Sequence, residues 1–221
     1  MNHRERIKKY ELAVFDVDGT MLDTTEGVVA SVEYTIGTMG LAPLKREQLL
    51  TFIGPPIQDS FARIYRLEGE ALQAAADCFR NRYKDYDLFR AAPYEGMESV
   101  LETLSGRGIK VAVATYKRQD YAESIVRHFG LDRYVGVLYG ADYANRLTKG
   151  DIIRKCMEDM GVCGSVAVMI GDTCHDAGGA EEAGMDFIGV TYGFGFRSPK
   201  EIYQTGAVGA ADSPAGLLRY F

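Results

Sequence analysis

Asp16 and Asp18 stand two positions apart in FDVDGT, directly after the apolar run Leu12-Ala13-Val14-Phe15. Carboxylates this close repel each other and lose solvation on a buried strand unless something positive sits between them. GDTCHD, residues 171–176, repeats the arrangement: Asp172 follows the apolar run VAVMI and Asp176 stands four residues later. Thr115 ends a third apolar run, IKVAVAT, ahead of Tyr116 and Lys117, and Lys149 stands alone before a helix-length segment. Four carboxylates in one crevice require a cation. A hard, all-oxygen set suits Mg²⁺, which takes one or two carboxylates, waters and a substrate phosphate. Asp16 and Asp172 would each give one oxygen, and a backbone carbonyl near Asp18 another. Asp176 would act through water or hold Lys149. The expected metal set is therefore Asp16, Asp18, Asp172 and Asp176.

The same residues suggest a reaction. A carboxylate beside Mg²⁺ can attack phosphorus and form an aspartyl-phosphate. Asp16, at a strand end, is held best for in-line attack, where position matters most. Asp18, on the turn, can protonate the leaving oxygen and then deprotonate the hydrolytic water. Gly19 lets backbone approach a phosphate closely. Thr115, nearby N–H groups at Tyr116 and the Lys149 ammonium can hold and neutralise phosphoryl oxygens.

These residues need elements to bring them together. Apolar runs of strand length lie at 11–16, 109–115, 135–140, 166–171 and 186–191, continuous enough to be covered on both faces. Helix-length amphipathic segments lie between them, at 96–107, 118–129, 149–160 and 176–184. Alternating strands and helices predict an α/β fold with an open parallel, Rossmann-like sheet flanked by helices. Ligands of such sheets bind at the carboxyl ends of the strands, where the polar groups named above fall. Residues 25–90 break the alternation and read as helices near 25–39, 45–52, 57–66 and 69–88. The chain thus divides into a catalytic core, 1–22 and 92–221, and a small helical cap, 23–91, inserted after the first strand, with Pro93 and Gly96 as hinge punctuation. Tyr83 and Phe89 read as packing within the inserted module. Arg63, Arg66, Arg82 and Lys84 read either as solvated helix faces or as contacts to a substrate carboxylate.

The chain has 221 residues, 47% hydrophobic and 25% charged, with a net charge of −6. That is ordinary globular composition, long enough for one large domain or one with an insertion. The negative balance argues against a nucleic-acid partner held by its phosphates, but not against a small phosphorylated metabolite at a local positive site. The N-terminus, MNHRERIKKYE, lacks the apolar core of a signal peptide, and no apolar run is long enough for a membrane helix. Cys78, Cys156, Cys163 and Cys174 lack C-x-x-C or zinc-finger spacing and read as free thiols. These features predict a cytoplasmic protein, monomer or homodimer, with neither membrane nor nucleic acid as partner.

Plainer readings compete for several motifs. DVDGT fails as a calcium loop: with Gly19 at the sixth position, Val14 and Thr25 fall where Asp and Glu belong. GDTCHD could be a polar turn capping a helix, and Thr115 an ordinary N-cap. His175 and Cys174 read as loop residues, and His128 and His3 as structural or surface ones. The glycines of YGFGFR, 192–197, precede no clear helix, which argues against a dinucleotide fingerprint.

Taken together, D-x-D-G-T after an apolar strand, a strand ending in Thr, an isolated Lys and G-D-x-x-x-D after a further strand resemble the haloacid dehalogenase superfamily over about residues 10–205. PYEGM and IGPPIQDSF resemble its phosphoglycolate-phosphatase-like branch. The resemblance implies Asp16 as nucleophile, Asp18 as general acid and base, Thr115 and Lys149 as phosphoryl ligands, Asp172 and Asp176 at a Mg²⁺ site, and a mobile cap. Family dehalogenases lack an acid at the Asp18 position, which disfavours C–halogen hydrolysis. Tyr116 departs from the small polar residue usual after the Thr and predicts a narrower pocket. The expected substrate is a small phosphorylated metabolite, phosphoglycolate first. The alternatives are a β-phosphoglucomutase-like phosphomutase, for which IGPPIQDSF lacks an Arg, and a broad-specificity sugar-phosphate or nucleotide phosphatase.

Overall fold

The computed structural model describes residues 10–142 and 146–221; the charged N-terminal stretch and His3 lie outside it. The chain runs β1 (Leu12–Phe15), β2 (Leu22–Asp23), then four helices, α1 (Thr25–Thr38), α2 (Arg46–Leu50), α3 (Ile57–Tyr65) and α4 (Gly69–Arg82). A π-helical turn, Tyr83–Asp87, extends α4 and leads to β3 (Ala92–Pro93). There follow α5 (Met97–Gly106), β4 (Lys110–Arg118), α6 (Gln119–His128), β5 (Val137–Ala141), α7 (Lys149–Met160), β6 (Ala167–Gly171), α8 (Cys174–Ala183), β7 (Asp186–Val190), α9 (Pro199–Tyr203) and β8 (Gly209–Ala211).

Six strands form one parallel sheet in the order β5-β4-β1-β6-β7-β8. Successive side chains of β1 point to opposite faces, as a strand requires. Leu12 and Val14 join a cluster with Ile152 and Ile153 of α7, Ala180 of α8 and Ile202 of α9. Ala13 and Phe15 join the other cluster, with Leu101 of α5 and Ile125 of α6. That second cluster continues into the inserted helices through Val28, Phe61 and Phe79. All four residues of β1 are buried, which is why the run reads as unbroken apolar sequence.

Strand order reverses at β1: the chain moves from it to β4 and β5 on one side, then returns to β6 on the other. In open α/β sheets the crevice for ligands opens at such a point, beyond the carboxyl ends of the strands. Asp16 is the first residue past β1, and its N–H donates to the Ile170 carbonyl of β6 at 3.0 Å. The sheet therefore delivers Asp16 and Asp172 side by side.

The inserted helices leave and rejoin the core at one place. β2 and β3 pair antiparallel, Leu22 opposite Pro93 and Asp23 opposite Ala92. Asp87, 1% exposed, locks the returning chain to α1. It accepts from the Ser31 hydroxyl at 2.9 Å, Arg82 Nε at 2.8 Å and Arg90 at 3.1 Å. Gly27 is required here, because a Cβ would lie 2.2 Å from the Asp87 carbonyl oxygen.

Three strands escaped the sequence reading. β2 and β3 are two-residue pairings made only when segments about seventy residues apart meet. β8 is Gly-Ala-Ala, which carries no strand signal; its edge is held by Tyr220, whose hydroxyl accepts from the Ala210 N–H at 2.9 Å. The helix expected over 69–88 is an α-helix only to Arg82.

Burial raises the proton affinity of Asp87, but the bonds from Arg82, Ser31 and Arg90 outweigh it and hold the carboxyl below the ordinary aspartate value. A depressed folded-state value contributes stability above the unfolded value and loses it as pH falls through the folded one. Asp87→Asn should cost about 2 kcal/mol at neutral pH, since two partly exposed arginines regain water. In urea melts the gap to wild type should shrink as pH falls below about 4; a gap that grows there would contradict this assignment.

Candidate active site

Asp16, Asp18, Thr115, Tyr116, Lys149 and Asp176 line one small pocket at the carboxyl edge of the sheet, and Asp172 clusters with Asp16 and Asp176 beside it. Lys149, the first residue of α7, is 3% exposed and places Nζ 2.6 Å from Asp16 Oδ1 and 2.7 Å from Asp176 Oδ1. Carboxylate oxygens of Asp16, Asp172 and Asp176 lie within 4.8 Å of one another, all buried. Thr115 faces the same pocket. Lys149 is thus the counter-charge of the nucleophile candidate.

Local structure explains each placement. Thr148 caps α7, accepting from the Asp151 N–H, and that start fixes Lys149 at the first turn. Thr173 caps α8 in the same way, and Asp176 closes the box: its Oδ2 accepts from the Thr173 N–H at 3.1 Å and hydroxyl at 2.7 Å. GDTCHD is therefore both a helix cap and part of the acidic cluster; the plain reading and the chemical one hold together. Thr115 and its neighbours leave the ladder. Ala114 pairs with Tyr139 and Arg118 with Ala141, so four steps along β4 match two along β5. The bulge turns Thr115, Tyr116 and Lys117 toward the crevice, a common arrangement beside functional sites.

Asp172 is held by a device the sequence reading missed. The N–H groups of Phe194 and Gly195 donate to its Oδ2 at 2.6 and 3.1 Å. A Cβ on Gly193 would lie 2.5 Å from the Asp172 Cβ, and one on Gly195 2.2 Å from its carbonyl oxygen. The glycines of YGFGFR serve close backbone approach to a carboxylate, a signal that only the pairing of two distant loops could reveal. Gly19, at φ +82°, meets Asp172 from the other side: a Cβ there would lie 2.3 Å from Oδ2.

Asp18 borders both the pocket and the cleft above it, but its carboxylate is bound by other partners. Its Oδ1 accepts from the Thr24 hydroxyl at 2.7 Å, and Lys117 Nζ donates to Oδ1 and Oδ2 at 2.9 and 3.1 Å. Its side chain is outside the acidic triplet. Tyr116 does more than narrow the pocket. Its hydroxyl accepts the Lys149 N–H at 2.9 Å, so the ring orients the start of α7. His175, exposed, stands edge-on to that ring at 5.6 Å, and Cys174 is exposed; neither joins the acidic triplet.

Electrostatics state what the cluster lacks. Burial first, then the neighbouring Asp176 and Asp18, push Asp16 up to about 7 against the pull of Lys149. Burial, then Asp176 and Asp16, push Asp172 up to about 8. Burial works against the Lys149 ammonium, yet Asp16 and Asp176 hold its proton above the ordinary lysine value. With all three carboxylates ionised, the single ammonium leaves two negative charges, the complement of a divalent cation. Asp172 Oδ1 is buried without a hydrogen-bond partner, an acceptor available to a metal. The donors are all oxygen and suit Mg²⁺.

Above this pocket lies a wider cleft between the inserted helices and the core. Phe52, Pro55, Pro56, Phe79, Arg80 and Tyr83 line it from one side, and Tyr116, Lys117, Arg118 and Tyr121 from the other. Gly54 borders both chambers, and a Cβ there would lie 3.8 Å from Thr173 Cγ2 across the site. Tyr83 stacks on Phe79 as expected, but its hydroxyl also accepts from Lys117 at 2.9 Å, so it is no mere packing residue. Phe89 stacks on His128 of the core. Arg63 binds Thr51 and Arg82 binds Asp87; among the basic residues of the inserted helices it is Arg80 that reaches the cleft.

A family model described as haloacid dehalogenase-like hydrolase matches residues 13–190. The chain belongs to that family. It lies on the family's phosphatase branch. A 5'-nucleotidase of Pseudomonas aeruginosa is 33% identical over 202 residues, 91% of each chain. A phosphoglycolate phosphatase of Agrobacterium fabrum is 32% identical, covering 83% of this chain and 81% of its own. Among solved structures, a predicted phosphatase from Clostridium acetobutylicum superposes with a TM-score of 0.88 at 34% identity, covering 96% of this chain and 97% of its own. These relatives span 83–96% of this chain.

A resident cation predicts a stability signature. At Mg²⁺ a hundredfold above its dissociation constant, the protein should gain about 2.7 kcal/mol, read as a raised Tm against EDTA. Asp172→Asn should lose most of that gain. An equal gain in both proteins would place the ion elsewhere.

Proposed function

We propose that this protein is a Mg²⁺-dependent phosphomonoesterase working through an aspartyl-phosphate on Asp16. The observation that carries the reading is Asp16 held between Lys149 and the Asp172–Asp176 pair at the switch point of the sheet. An oxygen of Asp16 attacks phosphorus in line, and the bond to the leaving oxygen breaks. Asp18 gives its proton to that oxygen. Asp18 then takes a proton from water, which attacks the same phosphorus, and the Asp16–phosphorus bond breaks to release phosphate. Lys149, the Thr115 hydroxyl and the N–H groups of the bulge hold the phosphoryl oxygens as charge grows on them. Asp16 and Asp172, with the Asp18 carbonyl, would hold Mg²⁺, which shields the nucleophile from the incoming phosphoryl charge. Residues 23–91 act as a cap that closes over the leaving group and excludes bulk water.

For the substrate, the cleft favours a flat leaving group. Phe52, Phe79, Tyr83, Tyr116 and Tyr121 give it aromatic walls, whereas the cations there already have carboxylate partners: Lys117 with Asp18, Arg80 with Asp77, and Arg118 with Asp120 and the Tyr121 ring. A glycolate carboxylate would compete with those partners, while a nucleobase would add stacking contacts. The similarity to a 5'-nucleotidase points the same way. A nucleoside monophosphate therefore stands ahead of phosphoglycolate.

Phosphate release from a panel of nucleoside monophosphates, phosphoglycolate and sugar phosphates tests this. Asp16→Asn should lose at least about a thousandfold with Mg²⁺ present, as removal of a nucleophile does. Nucleotides should exceed phosphoglycolate in kcat/KM. Undiminished turnover by the variant would remove the nucleophile assignment; a preference for phosphoglycolate would overturn the substrate reading.

A further inference from the structure

We propose that Tyr116 forms one wall of a neck between the phosphoryl pocket and the cleft, and that this neck restricts the protein to phosphate esters of primary alcohols. The inference rests on the phosphomonoesterase reading above and adds the class of ester that the site accepts. Asp18, Gly54 and Tyr116 line both chambers, so the passage from one to the other runs between them. The pocket has a cavity volume of about 10 Å³ against about 100 Å³ for the cleft, so a leaving group has to stay in the cleft. With phosphorus at Asp16, the bridging oxygen passes between the three shared residues, beside the acid that would protonate it. The first carbon of the leaving group then lies in the neck. A primary carbon carries one further branch, which can turn to the open side. A secondary carbon carries two, set apart at the tetrahedral angle, and one of them is directed at a wall.

The walls are held in place. The Tyr116 hydroxyl accepts the Lys149 N–H at 2.9 Å. That N–H belongs to the first turn of α7, where no carbonyl of the helix can serve it, and the Thr148 hydroxyl is given to the Asp151 N–H instead. The ring is flanked by the Lys149 ammonium, 5.4 Å from its centroid, and by the edge of His175, 5.6 Å away. A ring fixed at its tip and on both sides cannot swing aside to admit a branch. Asp18 is held by the Thr24 hydroxyl and Lys117. Gly54, between α2 and α3, offers bare backbone at φ +100°, a conformation natural to glycine and strained for other residues. Clearance therefore comes from the glycine and obstruction from the tyrosine. Packed neighbours that cannot relax make even one surplus carbon costly. Among nucleoside monophosphates the neck separates the 5' isomers from the 2' and 3' isomers. Among sugar phosphates it separates those on a terminal carbon from those on a ring carbon. Phosphoglycolate is itself a primary ester, so the sieve is independent of the ranking of nucleotide over glycolate.

Matched isomers isolate the effect, since they share composition and charge. We would measure kcat/KM with saturating Mg²⁺ on glycerol 1-phosphate against glycerol 2-phosphate, and on 5'-AMP against 3'-AMP. Wild type should favour the primary ester of each pair by about fiftyfold, in the range that one carbon commands in a fitted pocket. Tyr116→Phe loses the bond to Lys149 but keeps the ring; both isomers should fall together, by about fivefold, with their ratio unchanged. Tyr116→Ser loses the bond and the ring alike, and its ratio should collapse to about threefold. The two variants thus separate the wall from the support that the hydroxyl gives α7. A wild-type ratio near one in both pairs, or a ratio that Tyr116→Ser leaves as in wild type, would overturn the proposal. Should Tyr116→Ser fail to fold, Tyr116→Asn decides by the same criterion. Wild type inactive on all four esters and on phosphoglycolate would instead defeat the phosphomonoesterase reading, an outcome distinct from either.

Discussion

Three buried carboxylates stand around a single ammonium, and the rest of the molecule is arranged about that imbalance. Asp16, Asp172 and Asp176 would be unstable together in a dry crevice. Lys149 relieves Asp16 and Asp176, and the N–H groups of Phe194 and Gly195 relieve one oxygen of Asp172. The remaining charge and the orphaned Asp172 Oδ1 are what a divalent cation and a phosphoryl group would use. A protein built only for stability would replace such a cluster with hydrophobic side chains of the same volume. Its retention ties it to chemistry.

The scaffold gives up local stability for the same end. Thr24 stands at the start of α1, where a hydroxyl ordinarily caps the helix, yet makes no such bond. Its hydroxyl goes to Asp18 instead, forgoing about 1 kcal/mol of capping. The bulge of β4 gives up ladder bonds to turn Thr115 and Lys117 toward the crevice. Gly19, Gly193 and Gly195 surrender side chains so that two loops can close on Asp172. In each case a rule of regular structure is broken at the site and obeyed a few residues away, where Leu12–Phe15 and Ala167–Gly171 form ordinary buried parallel strands.

How much of this was legible depended on the range of the signal. Asp16, Thr115, Lys149, Asp172 and Asp176 follow apolar runs or precede a helix, and the rule that strand ends converge brings them together without any knowledge of contacts. All five long strands of the core follow from continuous apolar runs for the same local reason. Lys117 carried no such signal. A lysine two residues past the end of an apolar run is ordinarily solvated; here it falls in the bulge of β4, beside Tyr83 from the inserted helices. YGFGFR was legible as glycine-rich but not as a clasp, because its partner, Asp172, lies about twenty residues upstream across a strand. Tyr83 read as packing because its ring does pack; the hydroxyl's partner is invisible to helical periodicity. β8 was missed because its strand character resides in its neighbours rather than in Gly-Ala-Ala.

The account stands on one cation shared by carboxylates from two strands. Crystals grown with Mn²⁺ in place of Mg²⁺ would locate it directly by anomalous scattering. The account predicts a single strong peak between Asp16 and Asp172, about 2.2 Å from an oxygen of each, with Lys149 still against Asp16. A fully ordered site with no peak there, or a peak bound only at the surface, would contradict it.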